Sequence, residues 1–251
     1  MSDLNDQVAV VTGGSRGIGA AIVRLFWQRG ARVVFSYQRD RKAAQEVMRA
    51  CDPQVVAVKA DVSKMADAKR LISEAVTRFG RLDILVGNAG IWTAEDMPIE
   101  KMPEKEWDHT IAVNLKGVYS VTHFAVKQMK KQRSGRIIHI SSTAGQRGES
   151  LHAQYAASKG GIISMVKGLS TELAPFNILV NCVAPGWVDT DMARPALDKP
   201  EEAAKVFASI PLRRVGTPQE IAGPVLFLAG PHSTFITGEI LNVNGGAVLV
   251  G

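Results

Sequence analysis

Short, nearly continuous apolar runs recur along the chain and alternate with longer amphipathic segments. Seven of these runs are rich in valine, isoleucine and leucine: VAVVTG, ARVVFSY, VVAVKAD, LDILVGNAG, GRIIHISS, ILVNCVAPG and EILNVNGG. The stretches between them, such as GAAIVRLFWQRG and ADAKRLISEAVTRFG, have the spacing of helices that bury one face. Apolar strands separated by helices of ten or more residues predict βαβ units and a parallel sheet covered on both faces.

Right-handed crossovers between such units favour a doubly wound (Rossmann) α/β sheet of about seven strands. No internal repeat, low-complexity tract or linker divides the 251 residues, so we expect a single domain spanning residues 1–251. The longest interruption, residues 190–216, separates the sixth strand from the helix that begins near TPQEIAG. An insertion at this place is expected to form a lid over the carboxyl ends of the strands.

Composition excludes several classes of protein. The longest uncharged stretch contains prolines, glycines and polar residues, which excludes a spanning helix, and MSDLNDQVAVV lacks the features of a secretory signal. We therefore expect a cytoplasmic protein without a membrane partner. Cys51 and Cys182 fall in a helix-like and a strand-like segment, a placement that predicts buried reduced thiols instead of a disulfide framework.

The formal net charge of +6 is spread along the chain. The densest basic cluster, KQMKKQRSGR at residues 127–136, is typical of a helix end that leads into a strand. The mild excess of cations suits phosphate-bearing ligands, but most of these residues are interpreted as a solvated surface. With no recognised binding motif, nucleic acid is not an expected partner, and no metal site is expected.

A glycine-rich turn, TGGSRGIG at residues 12–19, follows the first strand directly and opens a helix. Glycine at these positions allows a tight turn and close approach to a pyrophosphate, which the amides at the helix N-terminus attract. Because the turn lies inside a βαβ unit, it predicts a dinucleotide-binding site. The residues assigned to it are Gly13, Ser15, Arg16, Gly17, Ile18 and Gly19.

The end of the second strand indicates which dinucleotide is bound. No acidic residue that would hold the ribose hydroxyls of NAD stands at the strand end, whereas Arg16 and Arg39 can grip a 2'-phosphate. Ser36, Tyr37 and Arg39 are assigned to the cofactor site. NADP (as NADPH) is therefore favoured over NAD. Two alternatives remain open: a shift of a few residues would bring Asp40 to the ribose, or the arginines are only solvated residues at a helix start.

The segment HAQYAASKGG places Tyr155 four residues before Lys159, so a helix would carry both side chains on one face. A phenol has a pKa near 10, and a neighbouring ammonium favours the phenolate. This pair is therefore expected to exchange a proton with a bound substrate, the ammonium lowering the pKa of the phenol.

The chain resembles the short-chain dehydrogenase/reductase family, and more narrowly its 3-oxoacyl-[acyl-carrier-protein] reductases. The resemblance covers essentially the whole chain and rests on TGGSRGIG, DV at 61–62, NAG at 88–90, Asn114, Ser142, YAASK at 155–159, PG at 185–186 and VNGG at 243–246. It implies reduction of a ketone to a secondary alcohol with NADPH, a place in fatty acid biosynthesis, and a homotetramer built through its long helices and C-terminal strand.

The same resemblance assigns roles to individual residues. Tyr155 would be the general acid, Lys159 would bind the nicotinamide ribose, Ser142 would hold the substrate oxygen, and Asn114 would hold a water behind the lysine. The further cofactor contacts that it implies are Asp61, Val62, Asn88, Ala89, Gly90, Pro185, Gly186, Val188 and Thr190. One departure is visible, since Gly87 stands where the family commonly has asparagine, and we expect it to loosen the local structure.

The substrate is the least defined part of the prediction. The candidate substrate contacts follow the motifs and are Trp92, His152, Gln154 and Trp187, with Ser142. Lys130, Lys131 and Arg133 resemble a docking surface for acyl carrier protein, but Thr171 stands where an arginine is common. A 3-oxoacyl thioester is preferred, with a free ketone, a sugar or another secondary alcohol, and a non-enzymatic NADP-binding regulatory protein, as alternatives.

Overall fold

Seven strands form one parallel sheet in the computed structural model, which describes residues 3–249. Their order across the sheet is β3-β2-β1-β4-β5-β6-β7, which confirms the predicted doubly wound architecture. The strands are β1 Val8–Val11, β2 Arg32–Tyr37, β3 Val55–Lys59, β4 Ile84–Gly87, β5 Gly135–Ile140, β6 Ile178–Pro185 and β7 Ile240–Val243.

Helices connect successive strands and cover both faces of this sheet. The helices are α1 Gly17–Gln28, α2 Arg41–Ala50, α3 Met65–Phe79, α4 Glu104–Ile111, α5 Gly117–Gln132, α6 Ala144–Arg147, α7 Ala153–Leu173, α8 Arg194–Leu197, α9 Pro200–Ser209 and α10 Pro218–Ala229. A π-helical segment, Ala112–Lys116, joins α4 to α5. One apolar layer includes Phe26 and Phe35, and the layer on the other face includes Leu71, Leu85 and Met129.

The position of the cleft follows from the strand order. Central strand β1 pairs with β2 on one side and with β4 on the other. Strands β2 and β3 therefore lie on one side of β1, and strands β4 to β7 lie on the other. A crevice opens at the carboxyl ends of strands where the order reverses in this way. The glycine turn after β1 and the segment after β4 therefore lie side by side.

The segment at residues 190–216 contains the short helices α8 and α9, as an inserted lid requires. Its two ends meet, because Val188 pairs with Gly216 in an isolated β-bridge. Thr217 then begins α10 with a reciprocal capping box in which Glu220 returns a hydrogen bond to the cap. The inserted segment is thus closed at its base, and its first residues, 190–193, line the cleft.

Both cysteines are free and buried, as the sequence predicts: Cys51 follows α2 and Cys182 lies in β6. Burial raises the pKa of the Cys182 thiol to about 12 and keeps that thiol protonated. Within residues 3–249, no helix has the length and apolarity needed to cross a bilayer, and no group of three potential metal ligands occurs.

The departure at Gly87 does not loosen the sheet, contrary to the expectation from sequence, because the neighbouring strand fills the space. Gly87 pairs with His139 of β5, and a Cβ at Gly87 would collide with Nδ1 of that histidine. The fully buried imidazole contacts Thr122 Oγ1 through Nε2 at 3.1 Å. Burial lowers the pKa of His139 to about 3, so the ring is neutral.

Changing Gly87 to alanine is expected to lower the free energy of unfolding by about 1–3 kcal/mol, since the methyl group overpacks a rigid site. His139→Ala in the same chain is expected to recover part of that loss, which a double-mutant cycle by denaturant unfolding measures. Gly168→Ala is the matched control, because a Cβ there meets nothing within 4 Å. If Gly87→Ala lowered the free energy of unfolding equally with and without the His139 side chain, this steric coupling would be contradicted.

Candidate active site

Helix α7 brings Tyr155 and Lys159 together on one face, as their spacing predicts. The Lys159 Nζ lies 5.8 Å from the centroid of the Tyr155 ring and donates a hydrogen bond of 2.9 Å to Ile140 O at the end of β5. Its backbone carbonyl accepts from Ser141 Oγ at 2.8 Å. The lysine is therefore fixed at both ends between α7 and β5.

The protonation of this pair differs from the sequence prediction. Burial raises the pKa of Tyr155 to about 12, and the nearby Glu149 carboxylate adds to this rise, although a hydrogen bond with Ser142 opposes it. Burial also lowers the pKa of Lys159 to about 8. The expected lowering of the phenol pKa by the ammonium is wrong for this state, and the tyrosine is held in its proton-donating form.

Ser142 follows β5 directly and projects toward the tyrosine. Its hydroxyl accepts a hydrogen bond of 3.1 Å from Ala144 N, so the side chain also begins the short helix α6. This contact fixes the position of Oγ and leaves its proton free to donate toward the cleft. Ser141, its neighbour, is instead buried and bonded to Lys159, so it takes no part in lining a substrate site through its hydroxyl.

Asn114 lies in the π-helical segment, fully buried. Its side-chain oxygen accepts a hydrogen bond of 2.8 Å from Ile91 N. Its side-chain nitrogen donates to Ile91 O at 2.9 Å and to Ser158 Oγ at 3.1 Å. The side chain thereby ties the loop after β4 to helix α7. A Cβ added to Gly90 would lie 3.4 Å from both Asn114 Oδ1 and Lys159 Nζ, which places these two groups beside the same glycine. Single-turn π segments occur frequently at functional sites.

The glycine turn has the form that a bound pyrophosphate needs. Gly13 and Gly17 have φ values of +66° and +51°, which favour glycine, and a Cβ on Gly19 would collide with Gly13 O. Asn88 Nδ2 reaches across from β4 and donates to Thr12 O at 2.9 Å. The close backbone approach and the start of α1 at Gly17 fit a dinucleotide phosphate at this position.

Two predicted cofactor residues have their side chains engaged with protein. Ser36 Oγ accepts from Gly13 N at 3.1 Å, so it supports the glycine turn from β2. Asp61 Oδ1 accepts from the backbone and hydroxyl of Ser63 at 3.1 and 2.6 Å. Burial opposes ionisation of Asp61, but these hydrogen bonds prevail and hold its pKa below the usual range.

The residues around the predicted ribose site favour NADP. Asp40 begins α2, and its carboxylate accepts from Ala43 N at 2.9 Å, so it is engaged as a helix cap. Arg39 is exposed at the cleft and has no ion-pair partner among residues 3–249. Arg16 lies 3.3 Å from Asp191 across the cleft mouth, an exposed pair of small energetic worth.

One cavity of about 460 Å³ unites these elements. It is lined by every residue of the predicted cofactor set: Gly13, Ser15, Arg16, Gly17, Ile18, Gly19, Ser36, Tyr37, Arg39, Asp61, Val62, Asn88, Ala89, Gly90, Tyr155, Lys159, Pro185, Gly186, Val188 and Thr190. Ser142, Trp92 and Trp187 line it too, whereas Asn114 lies behind the wall. The glycine turn, the Tyr155 phenol and the Lys159 ammonium group therefore share a single cleft.

Comparisons with known proteins agree with this arrangement. A family profile described as enoyl-(acyl carrier protein) reductase matches residues 13–248. Among curated proteins, the 3-oxoacyl-[acyl-carrier-protein] reductase of Chlamydia muridarum is 41% identical, with 97% of this chain and 98% of that protein covered. The chain belongs to the short-chain dehydrogenase/reductase family.

Further members of the short-chain dehydrogenase/reductase family match over nearly the full length. The 3-oxoacyl-[acyl-carrier-protein] reductase of Synechocystis sp. is 40% identical, with 99% of this chain and all of that protein covered. The crystal structure of gox2181 superposes with a TM-score of 0.93 at 33% identity and covers 98% of this chain and 97% of that one. The resemblance inferred from the motifs is confirmed.

Two predicted substrate residues do not reach the cleft of this short-chain dehydrogenase/reductase. His152 is buried and stacks under Trp92, with ring centroids 5.2 Å apart, and its Nδ1 lies 3.1 Å from Ser150 O. Gln154 is also buried. Neither side chain is among the residues that line the cavity, so both lie behind its wall in this structure.

The structure adds two residues to the cleft, and one supporting residue behind it, that were not predicted from sequence. Arg147 and Glu149 line it beside Tyr155 and form an ion pair of 2.8 Å. Thr12, inside the glycine motif, accepts hydrogen bonds of 2.9 Å from the backbones of Asn88 and Ala89 and so joins β1 to β4. The position of GQRGES directly after the Ser142 strand was the available signal for the ion pair.

Proposed function

We propose that this protein is an NADPH-dependent oxidoreductase that reduces a 3-oxoacyl thioester to the 3-hydroxyacyl thioester. The observation that carries the proposal is the protonated Tyr155 phenol, whose pKa is raised to about 12, beside Ser142 in the cleft that also holds the glycine turn. A phenol in this state is an acid poised to donate, and the neighbouring turn fits a dinucleotide. The constellation suits carbonyl reduction better than an NADP-binding regulatory role, which needs neither group.

The residues divide the work as follows. NADPH supplies a hydride for the carbonyl carbon when it is bound. Ser142 and Tyr155 direct hydroxyl groups at the carbonyl oxygen and stabilise the negative charge that develops there. Tyr155 transfers its proton to that oxygen, and the Lys159 ammonium stabilises the phenolate that is left. Asn114 holds the Gly90 loop against α7 and so keeps Lys159 in register with the cofactor cleft.

Reduction of a carbon-carbon double bond is the second candidate, because the family profile carries the description of an enoyl reductase. The site favours the ketone. A carbonyl oxygen accepts hydrogen bonds from both Ser142 and Tyr155, whereas the carbons of an alkene accept none. Curated relatives named 3-oxoacyl-[acyl-carrier-protein] reductase, at 39–41% identity, support the same choice.

Acyl carrier protein is the carrier that we propose. Lys131 and Arg133 are exposed at the end of α5, where they offer positive charge to an acidic partner. Lys130 stacks 4.5 Å over the Phe176 ring and lies 3.7 Å from Glu172, so it is partly committed to the protein. Thr171 bonds to Gly168 O on α7 and contributes no charge.

The test is initial-rate oxidation of NADPH with the acetoacetyl group presented on acyl carrier protein, on coenzyme A and on a short free thioester. A kcat/KM at least about tenfold higher for the carrier protein, falling with added salt, supports the proposal. Equal values for all three carriers would retain the reaction and exclude specific docking. No turnover of any 3-oxoacyl compound would overturn the proposed function.

Arg39 is proposed to select NADPH. Arg39→Gln is expected to raise the KM for NADPH by about tenfold or more and to change the KM for NADH much less, since a charged hydrogen bond to phosphate is lost. Arg41→Gln is the control, because Arg41 begins α2 outside the cavity lining. Parallel steady-state kinetics with both cofactors check this, and an equal rise for NADH would refute the assignment.

A homotetramer is proposed for the assembly, with cytoplasmic location remaining a prediction from sequence. Large apolar side chains are exposed on α4, α5 and α10 and before β7: Trp107, Tyr119, Phe227 and Phe235. Exposed large apolar side chains on several elements support coverage of these surfaces by other copies of the chain. Light scattering on purified protein tests the assembly, and a monomeric mass at micromolar concentration would exclude it.

A further inference from the structure

The wall of the cleft that follows Ser142 carries an ion pair whose function the reduction step does not explain. Arg147 Nη2 donates to Glu149 Oε2 at 2.8 Å, and the side chains are 48% and 20% exposed. Both residues line the cavity together with Ser142 and Tyr155. A carboxylate that is so largely buried needs a partner, and Arg147 provides it.

Local structure places this pair one helical step from the reacting groups. Ser142 Oγ accepts from Ala144 N, and α6 runs from Ala144 to Arg147. The three helical steps from Ala144 to Arg147 advance about 4.5 Å, and Ser142 and Arg147 both line the same cavity. Gly148, with φ +81°, then turns the chain so that Glu149 comes back against the arginine.

Arg147 keeps hydrogen-bonding capacity in this arrangement. A guanidinium has five N–H donors, and in the described part of the chain only one of them is engaged, by Glu149. The pair as a whole is neutral, because one positive and one negative charge lie side by side. The wall thus offers donors to a neutral oxygen while the Glu149 carboxylate repels an anion.

An aromatic pair in the same cavity limits which substrates fit. Trp92 and Trp187 meet edge to face with centroids 5.7 Å apart, and both line the cavity. Trp92 is held from behind by the stacked His152, so this wall is rigid and apolar. A flat substrate between the two walls would have one face on aromatic rings and its polar edge toward Arg147.

Building on the proposed ketone reduction, we propose that Arg147 donates a hydrogen bond to the second carbonyl oxygen of a neutral 1,3-dicarbonyl substrate. Glu149 neutralises Arg147 and thereby excludes substrates in which the second group is a carboxylate. The pair is a specificity device: it selects 3-oxo esters and thioesters over 3-oxo acids and over ketones with a single oxygen. A site that offers such a donor discriminates strongly against analogues that lack the matching acceptor.

Three probes separate these properties: ethyl acetoacetate, the acetoacetate anion and 2-pentanone, each with saturating NADPH. For Arg147→Met, the ratio of kcat/KM for ethyl acetoacetate to that for 2-pentanone is expected to fall by about tenfold or more, the worth of a charged hydrogen bond. For Glu149→Gln, the ratio for acetoacetate over ethyl acetoacetate is expected to rise by about tenfold, because Arg147 is then left with a net charge.

Arg78→Met serves as the matched control, since Arg78 forms an exposed ion pair of 3.2 Å with Glu74 on α3, away from the cleft. It is expected to leave both ratios unchanged. Ratios in Arg147→Met and Glu149→Gln equal to those of the unaltered protein would overturn the specificity role and leave ketone reduction standing. Absence of NADPH oxidation by the unaltered protein with 3-oxoacyl thioesters and all three probes would instead overturn both proposals.

Discussion

Replacing Tyr155 with phenylalanine is expected to lower kcat for ketone reduction by about 10² to 10⁴, the usual worth of a positioned general acid. The change removes one oxygen and keeps the ring, so the packing of the ring beside Lys159 on α7 persists. The phenol is held in the proton-donating state by burial, which raises its pKa to about 12, and phenylalanine has no proton to transfer. Binding of NADPH is expected to stay within a few-fold of the original, because the glycine turn and Arg39 are untouched.

Single-turnover kinetics with the acetoacetyl thioester measure this effect, and fluorescence titration with NADPH measures cofactor binding in the same samples. Tyr119→Phe is the control, since Tyr119 is half exposed on α5, outside the cavity lining. A Tyr155→Phe enzyme that reduced the ketone at the original rate would show that the proton comes from elsewhere and would remove the basis for the proposed mechanism.

Replacing Lys159 with methionine is expected to lower kcat by about 10² to 10³, the magnitude seen when a preorganised electrostatic group is removed. Methionine fills the same buried space but cannot stabilise the phenolate or donate to Ile140 O. Because burial lowers the pKa of Lys159 to about 8, the ammonium is present below that pH and is lost above it. Reduction by the unaltered protein is therefore expected to decline above about pH 8.

The pH profile distinguishes a catalytic lysine from a structural one. Tyr155 remains protonated through the same range, since its pKa is raised to about 12, so the decline reports Lys159. In Lys159→Met, kcat is expected to be low and independent of pH between about 7 and 9.5, a window that spans the lysine pKa of about 8. A decline above pH 8 that survived in Lys159→Met would assign the titration to another group and contradict this role.

The architecture could be predicted because its signals are local. Continuous valine-rich strands, a glycine turn after β1 and the spacing of Tyr155 and Lys159 each follow from backbone geometry. Those features predicted the sheet, the glycine turn and the paired Tyr155 and Lys159, whereas the other cofactor contacts followed from the family resemblance. The positions of Arg147 and Glu149 in the cavity wall could not be predicted. They depend on the chain reversal at Gly148 and on where α7 starts, which no periodic pattern encodes.

Long-range packing explains the failures. His139 occupies the space opposite Gly87, and that compensation joins residues 52 positions apart, which the loss of one asparagine did not reveal. His152 was assigned to the substrate because it lies close to Tyr155 in sequence, and in the structure it stacks against Trp92 behind the cavity lining. Proximity along the chain determined neither contact.

The predicted direction of the Tyr155 pKa shift was wrong for an energetic reason. Sequence proximity to an ammonium predicted a lowered pKa, whereas burial dominates and raises it. Lys159 is itself desolvated, and its Nζ is bonded to Ile140 O. The balance between a charge and its desolvation depends on three-dimensional burial, and a spacing of four residues carries no information about it.

The central claim is that the site reduces a carbonyl group through Tyr155 and Ser142. The most direct measurement compares NADPH oxidation with two thioesters of the same acyl carrier protein, 3-oxobutyryl and 2-butenoyl, and identifies each product by mass spectrometry. We predict rapid formation of the 3-hydroxybutyryl thioester and no detectable reduction of the butenoyl thioester. Formation of the saturated butyryl product from the alkene, with the ketone left unreacted, would contradict the account.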